Sequence, residues 1–181
     1  MLFRSTYITR LSEEFERQRA TDGVRKVFAL TSTNGSSLVG SEVENFFFHW
    51  AGWYMENFPE QTLLMWGPEK KIIGYLVGCL DSASAGELFK NIFYYKKFAH
   101  WYTEYPSHLH VNCHPKYQGG GHGEALVEKF GRDAQVAGTR GLHVVTGSGA
   151  RNRTFYERLK FRECDQKLID GRSLVLLGKY L

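Results

Sequence analysis

The sequence contains little cysteine and proline, no long uninterrupted apolar run and only a small excess of positive charge. Its three cysteines, Cys79, Cys113 and Cys164, form no CxxC pair. This excludes a zinc ribbon and a disulfide framework, and it favours a reducing compartment. The longest apolar stretches, such as FFFHWAGWYM (46–55), are too short and too interrupted to span a bilayer. The formal charge of +4 lacks the Lys/Arg stripe of a nucleic-acid-binding protein.

The composition indicates a folded domain with a substantial core. Apolar residues make up 43% and aromatic residues 15% of 181 residues, which argues against disorder and predicts a single domain over 1–181. The N-terminal segment is charged within its first four residues and has no apolar h-region, so no secretory signal is expected. We therefore expect a cytoplasmic protein that has neither a membrane nor a nucleic acid as partner.

The order of apolar patterns predicts helices first and then an α/β (α+β) arrangement. Two helical segments precede a hairpin, a partly helical segment (82–105) follows, and strands then alternate with helices, which is typical of a layered domain with a mixed sheet. The predicted elements are helices over 12–30 and 42–58, a hairpin of 62–67 and 71–80, a strand over 108–113, a helix over 123–138, a strand over 141–148, a short helix over 150–161 and a strand over 173–181. A loop is expected over 31–41, where Gly, Ser, Thr and Asn cluster.

The segment QGGGHG (118–123) lies between a predicted strand and a predicted helix. The first amides of a helix have no intrahelical acceptor and lie at the positive end of the helix dipole, and glycines let an anion approach them. A phosphate or pyrophosphate group is therefore the expected ligand. The segment does not provide the GxxxxGK[ST] of a nucleotide-hydrolysing P-loop or the GxGxxG of a dinucleotide site.

The spacing that fits is Gln-x-x-Gly-x-Gly over 118–123, which resembles the acetyl-CoA pyrophosphate loop of the GNAT superfamily of N-acetyltransferases. Upstream CHPKY (113–117) resembles the approach to that loop. Downstream ARNRTFYERLKF (150–161) resembles the Asn…Phe-Tyr…Phe segment of the family, with Lys160 where a glycine is more usual. The resemblance covers roughly residues 61–165.

The resemblance implies a mixed, mostly antiparallel twisted sheet that splays at its central strand and is flanked by helices. Residues 1–60 would form a helical acceptor side, and residues 61–181 the sheet with the CoA-binding loop. It also implies that acetyl-CoA is the acyl donor, that the Cys113 backbone and the Asn152 side chain contact the pantetheine arm, and that the Tyr156 hydroxyl donates to the leaving thiolate. The residues expected at the pyrophosphate are Gln118, Gly119, Gly120, Gly121, His122 and Gly123.

Attack on the thioester requires a neutral amine, so a base is expected. Alternation along 108–113 places His108 and His110 on the face opposite Leu109, and imidazoles are mostly neutral at pH 7. The pair is similar to the strand histidines of arylalkylamine N-acetyltransferases, although there it lies one residue further from the loop. The strand is also similar to one in acetyltransferase-like domains of bacterial hexosaminidases, where an acid commonly stands in place of Asn112. Glu104 is a further candidate.

The same residues also have other interpretations. Tyr156 and either histidine can be packing residues, and the Cys113 thiol is a small apolar filler rather than a nucleophile. His108, His110 and His114 have an HxHxxxH spacing, but they lack a suitably spaced carboxylate or cysteine, so no metal is expected.

The acceptor side is rich in aromatic residues, which favours an aromatic or hydrophobic amine or a cationic head group. The aromatic residues that exceed what a small core requires are Trp50, Trp53, Tyr54, Tyr95 and Trp101. The sequence thus predicts an N-acetyltransferase acting on a small-molecule amine by direct attack in a ternary complex. The alternatives are a non-catalytic CoA-binding domain and a transferase for aminoglycosides or proteins. A homodimer is also an open option.

Overall fold

The computed structural model describes residues 6–32, 39–90 and 92–181. Over these ranges it contains seven strands and six α-helices. The strands are β1 (Tyr7–Arg10), β2 (Leu63–Trp66), β3 (Ile72–Cys79), β4 (Ser107–Cys113), β5 (Gly141–Gly147), β6 (Arg162–Ile169) and β7 (Arg172–Tyr180). The helices are α1 (Arg17–Thr31), α2 (Ser41–Phe47), α3 (Trp53–Asn57), α4 (Gly86–Phe89), α5 (His122–Val136) and α6 (Arg153–Arg158).

The strands form one seven-stranded sheet in the order β1-β2-β3-β4-β5-β7-β6. The pairs β1–β2, β2–β3, β5–β7 and β6–β7 are antiparallel, whereas β4 and β5 are parallel. The predicted mixed, mostly antiparallel sheet flanked by helices is therefore confirmed. None of the helices within the described ranges has the length and apolar character needed to cross a membrane.

The chain divides into two compact units, Met1–Gly78 with His110–Phe130, and Cys79–Leu109 with Gly131–Leu181. The first unit contains the predicted hairpin, in which Leu63 pairs with Leu76 and Met65 with Gly74. Both hairpin strands are buried along their whole length, which explains their continuous apolar sequence. The core of this unit also takes its apolar side chains from α1, namely Ala20, Val24, Val27 and Phe28.

The segment predicted as one helix over 42–58 is observed as α2 and α3 joined by a π-helical turn, Phe48–Gly52. At the end of this turn the Trp53 amide donates to the Phe48 carbonyl, five residues back. The prediction of one continuous helix did not include this π-helical turn. An apolar pattern alone cannot show it, because one extra residue per turn leaves a helix apolar on most sides.

The second unit contains β5, β7 and β6. Val145 pairs with Leu176 on β7, and Gln166 of β6 pairs with Val175. Strand β4 joins β5 in parallel through Ser107 with Leu142 and His108 with His143. Residues 141–144 of β5 and Val175, Leu176 and Leu177 of β7 are buried.

Two observed strands are absent from the sequence predictions. Strand β1 precedes the helix predicted over 12–30, in a region (1–60) that was expected to be helical, and β6 follows the short helix α6. Both are edge strands of the sheet. The predicted helix over 123–138 is confirmed by α5, which buries Leu126, Phe130 and Ala134. Most of the loop predicted over 31–41 lies outside the described residues.

Candidate functional site

In the first unit, hydrogen bonds fix the approach to the glycine loop. The His114 amide donates to Ile73 O at 2.8 Å, and the Tyr117 amide donates to His114 O at 2.8 Å. A single turn of 3₁₀ helix, Pro115–Tyr117, lies between them. The side-chain amide of Gln118 then donates to Cys113 O at 3.0 Å, which connects the start of the loop to the end of β4.

The loop turns through two glycines in the left-handed region. Gly119 has φ +81° and Gly121 has φ +79°, which residues with a Cβ rarely adopt. An added Cβ at either position would meet nothing within 4 Å, so the requirement for glycine is conformational rather than steric. Of the remaining predicted loop residues, Gln118 and Gly120 are exposed, whereas His122 and Gly123 are half-buried.

Helix α5 begins directly after these glycines. Its first intrahelical bond runs from the Ala125 amide to Gly121 O at 2.9 Å. The amides of residues 122–124 precede this bond and therefore point out of the helix N-terminus, where the helix dipole favours an anion. An N-terminus of a 15-residue helix preceded by left-handed glycines suits a diphosphate group, so the residues present fit the predicted cofactor.

Cys113 is half-buried at the end of β4, and burial raises the pKa of its thiol to about 11. A thiol with this pKa is protonated at neutral pH and is a poor nucleophile. The structure therefore favours the interpretation of the Cys113 side chain as a small apolar filler.

Burial along β4 follows the position in the strand rather than its two faces. Ser107, His108 and Leu109 are buried, whereas residues 110–113 are half-buried. His108 was expected on a cleft-lining face together with His110, but the two residues have different environments. The alternation of the strand assigns both histidines to one face, and it carries no information on how deeply each end of the strand is buried.

His110, in the first unit, is half-buried and surrounded by aromatic groups. Its Nε2 lies 3.3 Å from the Tyr54 hydroxyl. The indole of Trp50 contacts the imidazole edge-on, with ring centroids 5.4 Å apart. Trp50 and Tyr54, which were predicted to be in excess of a small core, thus both contact a polar residue of β4, and Tyr54 is fully buried.

Asn112 donates its side-chain amide to the Tyr75 hydroxyl at 2.9 Å. Tyr75 is fully buried, and burial raises the pKa of its hydroxyl. An amide cannot accept a proton at neutral pH, so Asn112 provides a hydrogen bond and no base.

His108, in the second unit, is 2% exposed. Its Nδ1 lies 2.7 Å from Ser82 Oγ, and Ser82 Oγ also donates to Pro106 O at 2.6 Å. Because the single hydroxyl hydrogen of Ser82 goes to that carbonyl, His108 Nδ1 carries a hydrogen and donates it to Ser82. Sequence reasoning missed Ser82, which lies 26 residues from His108 and has no local signal.

His143 lies beside His108, with ring centroids 5.6 Å apart. Its Nδ1 donates to Tyr105 O at 2.6 Å, and its Nε2 is buried without a hydrogen-bond partner among the described residues. Burial lowers the pKa of His143 to about 4, so the ring is neutral at pH 7.

Tyr156, also in the second unit, is 4% exposed and packs edge-on against Phe155 and Phe161. Burial raises the pKa of its hydroxyl above the usual range, so the group is protonated at neutral pH. Asn152 is exposed at the N-terminus of α6, and its side-chain oxygen accepts a hydrogen bond from Thr146 Oγ1 at 2.8 Å. Its side-chain NH₂ keeps the character of a donor.

The end of α6 explains the unusual lysine noted in the sequence. Lys160 has φ +70°, its amide donates to Glu157 O at 3.0 Å, and the Phe161 amide donates to Tyr156 O at 3.0 Å. These two bonds and the contact of Phe161 with Tyr156 form a Schellman motif, which usually has glycine at the left-handed position. The motif fixes the backbone of Tyr156.

The remaining candidates have structural partners. Trp101 Nε1 donates to Asp165 at 3.1 Å, the Tyr95 ring lies 5.2 Å from the His108 ring, and Glu104 accepts a hydrogen bond from the Tyr180 hydroxyl. His114 Nδ1 accepts a hydrogen bond from the Lys116 amide. Across the described ranges, no three His, Cys, Asp or Glu side chains are grouped as metal ligands.

Comparisons with solved structures identify the fold. The chain is similar to SsHAT, with TM-score 0.76 and 20% identity over 97% of this chain and 98% of the other. A protein from Desulfovibrio desulfuricans assigned to the GNAT family of acetyltransferases gives TM-score 0.66 and 20% identity over 97% and 99%. The polyamine N-acetyltransferase of Drosophila melanogaster, which forms N-acetylagmatine, gives TM-score 0.66 and 14% identity over 98% and 100%.

These likenesses extend over nearly the whole of each chain, so the protein has the fold of the GNAT acetyltransferases. No family model and no curated protein sequence matches the chain. The resemblance that the loop motif indicated is thus supported by the tertiary structure.

Proposed function

We propose that the protein is an acetyl-CoA-dependent N-acetyltransferase that acetylates a primary amine of a small molecule by direct attack in a ternary complex. The observation that carries this proposal is the loop 118–123, which has left-handed Gly119 and Gly121 at the N-terminus of α5 in a GNAT fold. The similarity to a polyamine N-acetyltransferase favours a small amine as acceptor.

In this proposal the protein binds the coenzyme mainly through its backbone. The amides of residues 118–123 hold the diphosphate, and the Cys113 backbone and the Asn152 side chain contact the pantetheine arm. When bound, acetyl-CoA supplies a thioester with a good leaving group. The binding mode requires no metal, because the helix N-terminus offsets the diphosphate charge.

The proposed role of Tyr156 is to donate its hydroxyl hydrogen to the leaving thiolate. Full proton transfer from a phenol with pKa about 10 to a thiolate whose conjugate acid has pKa about 8.5 is uphill by about 2 kcal/mol. Burial raises the pKa of Tyr156, which makes full transfer more costly and keeps the hydroxyl protonated. The role is therefore better described as a hydrogen bond to the developing negative charge than as complete protonation.

The acceptor also has to lose a proton before attack. An alkylammonium with pKa about 10.4 is neutral only about once in 2,500 molecules at pH 7, which costs about 4.6 kcal/mol. Of the two strand histidines, we propose His110 as the base and retain His108 as the second candidate. His110 is half-buried and can reach solvent, whereas His108 is buried and donates to Ser82.

The test measures thiol release against a panel of aromatic, hydrophobic and polyamine acceptors, together with calorimetric binding of CoA. We expect acceptor-dependent release in the wild type. Tyr156→Phe should lower kcat by about 100-fold, as for loss of one hydrogen-bond donor to a developing negative charge, and leave the Kd for CoA unchanged. Tyr7→Phe is the matched control, because Tyr7 is 45% exposed on an edge strand. Equal kcat values for the wild type and Tyr156→Phe would refute the assigned role.

The second candidate function is a non-catalytic CoA-binding domain. The observation that favours it is Asn112, which stands where similar domains carry an acid and is bonded to Tyr75. Binding of CoA without turnover of any amine in the panel would support this function and overturn the acetyltransferase proposal.

A further inference from the structure

We propose that a groove between α1 and the turn Pro115–Tyr117 binds a small amphipathic anion, such as a medium-chain carboxylate. All residues that line this groove, which we call the α1 groove, belong to the first compact unit. Its lining ends at Tyr117, before the loop 118–123. The inference goes beyond the proposed acetyltransferase function and does not depend on it.

The α1 groove has the size of a small-molecule site. Its volume is about 600 Å³, and pockets for small ligands typically have about 300–1,000 Å³. Helix α1, the start of β3 and the segment 114–117 each contribute to it. The lining residues are Gly23, Lys26, Val27, Ala29, Leu30, Lys71, Ile72, Ile73, His114, Lys116 and Tyr117.

A glycine inside α1 allows the helix to pack closely on β3 at this groove. Gly23 lies in the helix, where glycine is less favourable than alanine. A Cβ at this position would lie 2.6 Å from Cγ1 of Ile72, a separation too short for two carbon atoms. The glycine is therefore required by the close packing of α1 on β3, and this packing holds Lys26 and Val27 of the helix at the groove.

Part of the lining is apolar and suits an alkyl chain. Val27, Ile72 and Ile73 are buried, whereas Leu30 is 56% exposed. The exposed leucine offers apolar surface that a ligand can cover, and removal of this surface from water favours binding. The aromatic ring of Tyr117, which meets the His114 ring edge-on with centroids 5.6 Å apart, adds a further apolar face.

The fully charged side chains of the groove are all basic. They are Lys26, Lys71 and Lys116, and no Asp or Glu is among the described residues that line the groove. Lys71 is paired with Glu69 at 2.6 Å. Within the described ranges, the ammonium groups of Lys26 and Lys116 have no ion-pair partner. A concave surface with charges of one sign concentrates counter-ions, so an anionic head group is the complement of this rim.

An adjacent groove on the same helix shows that this charge pattern is specific. It shares Lys26 and Lys71 with the α1 groove, but it is also lined by Glu16 and Asp22. Its basic groups therefore have carboxylates beside them. The α1 groove alone of these two combines an apolar lining with basic groups only, and its concave shape suits a small molecule better than a flat membrane surface.

The test is calorimetric titration of the full-length protein with octanoate. Two probes separate the contributions of charge and chain: 1-octanol has the same chain without the charge, and acetate has the charge without the chain. We expect octanoate to bind more tightly than either. All variants are first compared with the wild type by thermal unfolding, so that only folded protein is titrated.

Variants then locate the ligand. Lys26→Gln and Lys116→Gln should each weaken octanoate binding about three-fold, as for loss of one exposed charge interaction, and the double variant about ten-fold. Leu30→Glu, which adds a carboxylate at an exposed position of the lining, should also weaken binding. Lys70→Gln is the matched control, because Lys70 is exposed and lines the adjacent groove, and its Kd for octanoate should equal that of the wild type.

Several results would overturn the proposal. These are no octanoate binding by the wild type, equal affinity for octanoate and 1-octanol, or binding that neither the double variant nor Leu30→Glu weakens. Competitive displacement of octanoate by CoA would make the groove part of the coenzyme site. Binding to phosphatidylglycerol vesicles through the same lysines, without binding of free octanoate, would make the occupant a membrane surface. None of these measurements requires acetylation, so this inference and the acetyltransferase proposal can fail independently.

Discussion

Replacing Lys160 by glycine is expected to stabilise the protein. Lys160 has φ +70° at the position after α6 where a Schellman motif places its left-handed residue. A left-handed conformation costs an L-residue about 1–2 kcal/mol because Cβ approaches a carbonyl oxygen. Glycine removes this cost but loses about 0.5–1 kcal/mol through the larger entropy of its unfolded state. The net gain in the free energy of unfolding is therefore about 0.5–1 kcal/mol.

The assay is thermal and urea unfolding of Lys160→Gly beside the wild type. For a chain of this size, 1 kcal/mol corresponds to roughly 2–4 °C in Tm, so a rise of about 1–4 °C is expected. Lys160→Ala is the matched control, since it removes the same side chain but keeps a Cβ at the same φ, and it should gain nothing. A lower Tm for the glycine variant, or an equal gain for the alanine variant, would refute the argument from backbone strain.

The remaining predictions concern pH and the loop 118–123, for which we propose CoA binding. His143 has pKa about 4 in the folded state and about 6.5 when unfolded, so between these pH values the unfolded chain binds more protons and the free energy of unfolding decreases as the pH is lowered. The full loss is about 3 kcal/mol, and urea unfolding at several pH values should show a smaller loss in His143→Gln; equal losses would contradict the assignment. Gly121→Ala puts a Cβ at φ +79° and should weaken CoA binding about ten-fold by calorimetry, whereas exposed Gly149→Ala should not. Unchanged affinity in Gly121→Ala would show that the left-handed turn does not orient the loop amides.

Most of the fold was predictable from the sequence where an element is buried. The hairpin strands β2 and β3 are buried throughout, and α5 buries Leu126, Phe130 and Ala134 on one face. Their apolar periods follow directly from that burial. The edge strands were missed because they lack this burial. Strand β6 is mostly exposed or half-buried, reads RECDQKLI, and carries no apolar run that would distinguish it from a loop.

The candidate site also has one part that the sequence predicts and another that only the tertiary structure shows. The loop 118–123 was predictable because its pattern is local: glycines, a strand before them and a helix after them are all visible in one stretch of sequence. The sequence also showed that Lys160 stands where a glycine is more usual, but only its φ showed that the position is left-handed.

The environments of the histidines were decided by tertiary structure alone. His108 and His110 are equivalent in the strand pattern, yet His108 donates to Ser82, 26 residues away, and His110 contacts Tyr54, 56 residues away. A strand's alternation fixes which face a side chain takes, whereas its burial and hydrogen-bond partner come from elements brought to it by the packing of distant segments. The sequence by itself therefore determined the glycine-rich segment 118–123 between a strand and a helix, and the tertiary structure decided that His108 is buried against Ser82 whereas His110 is half-buried beside Tyr54.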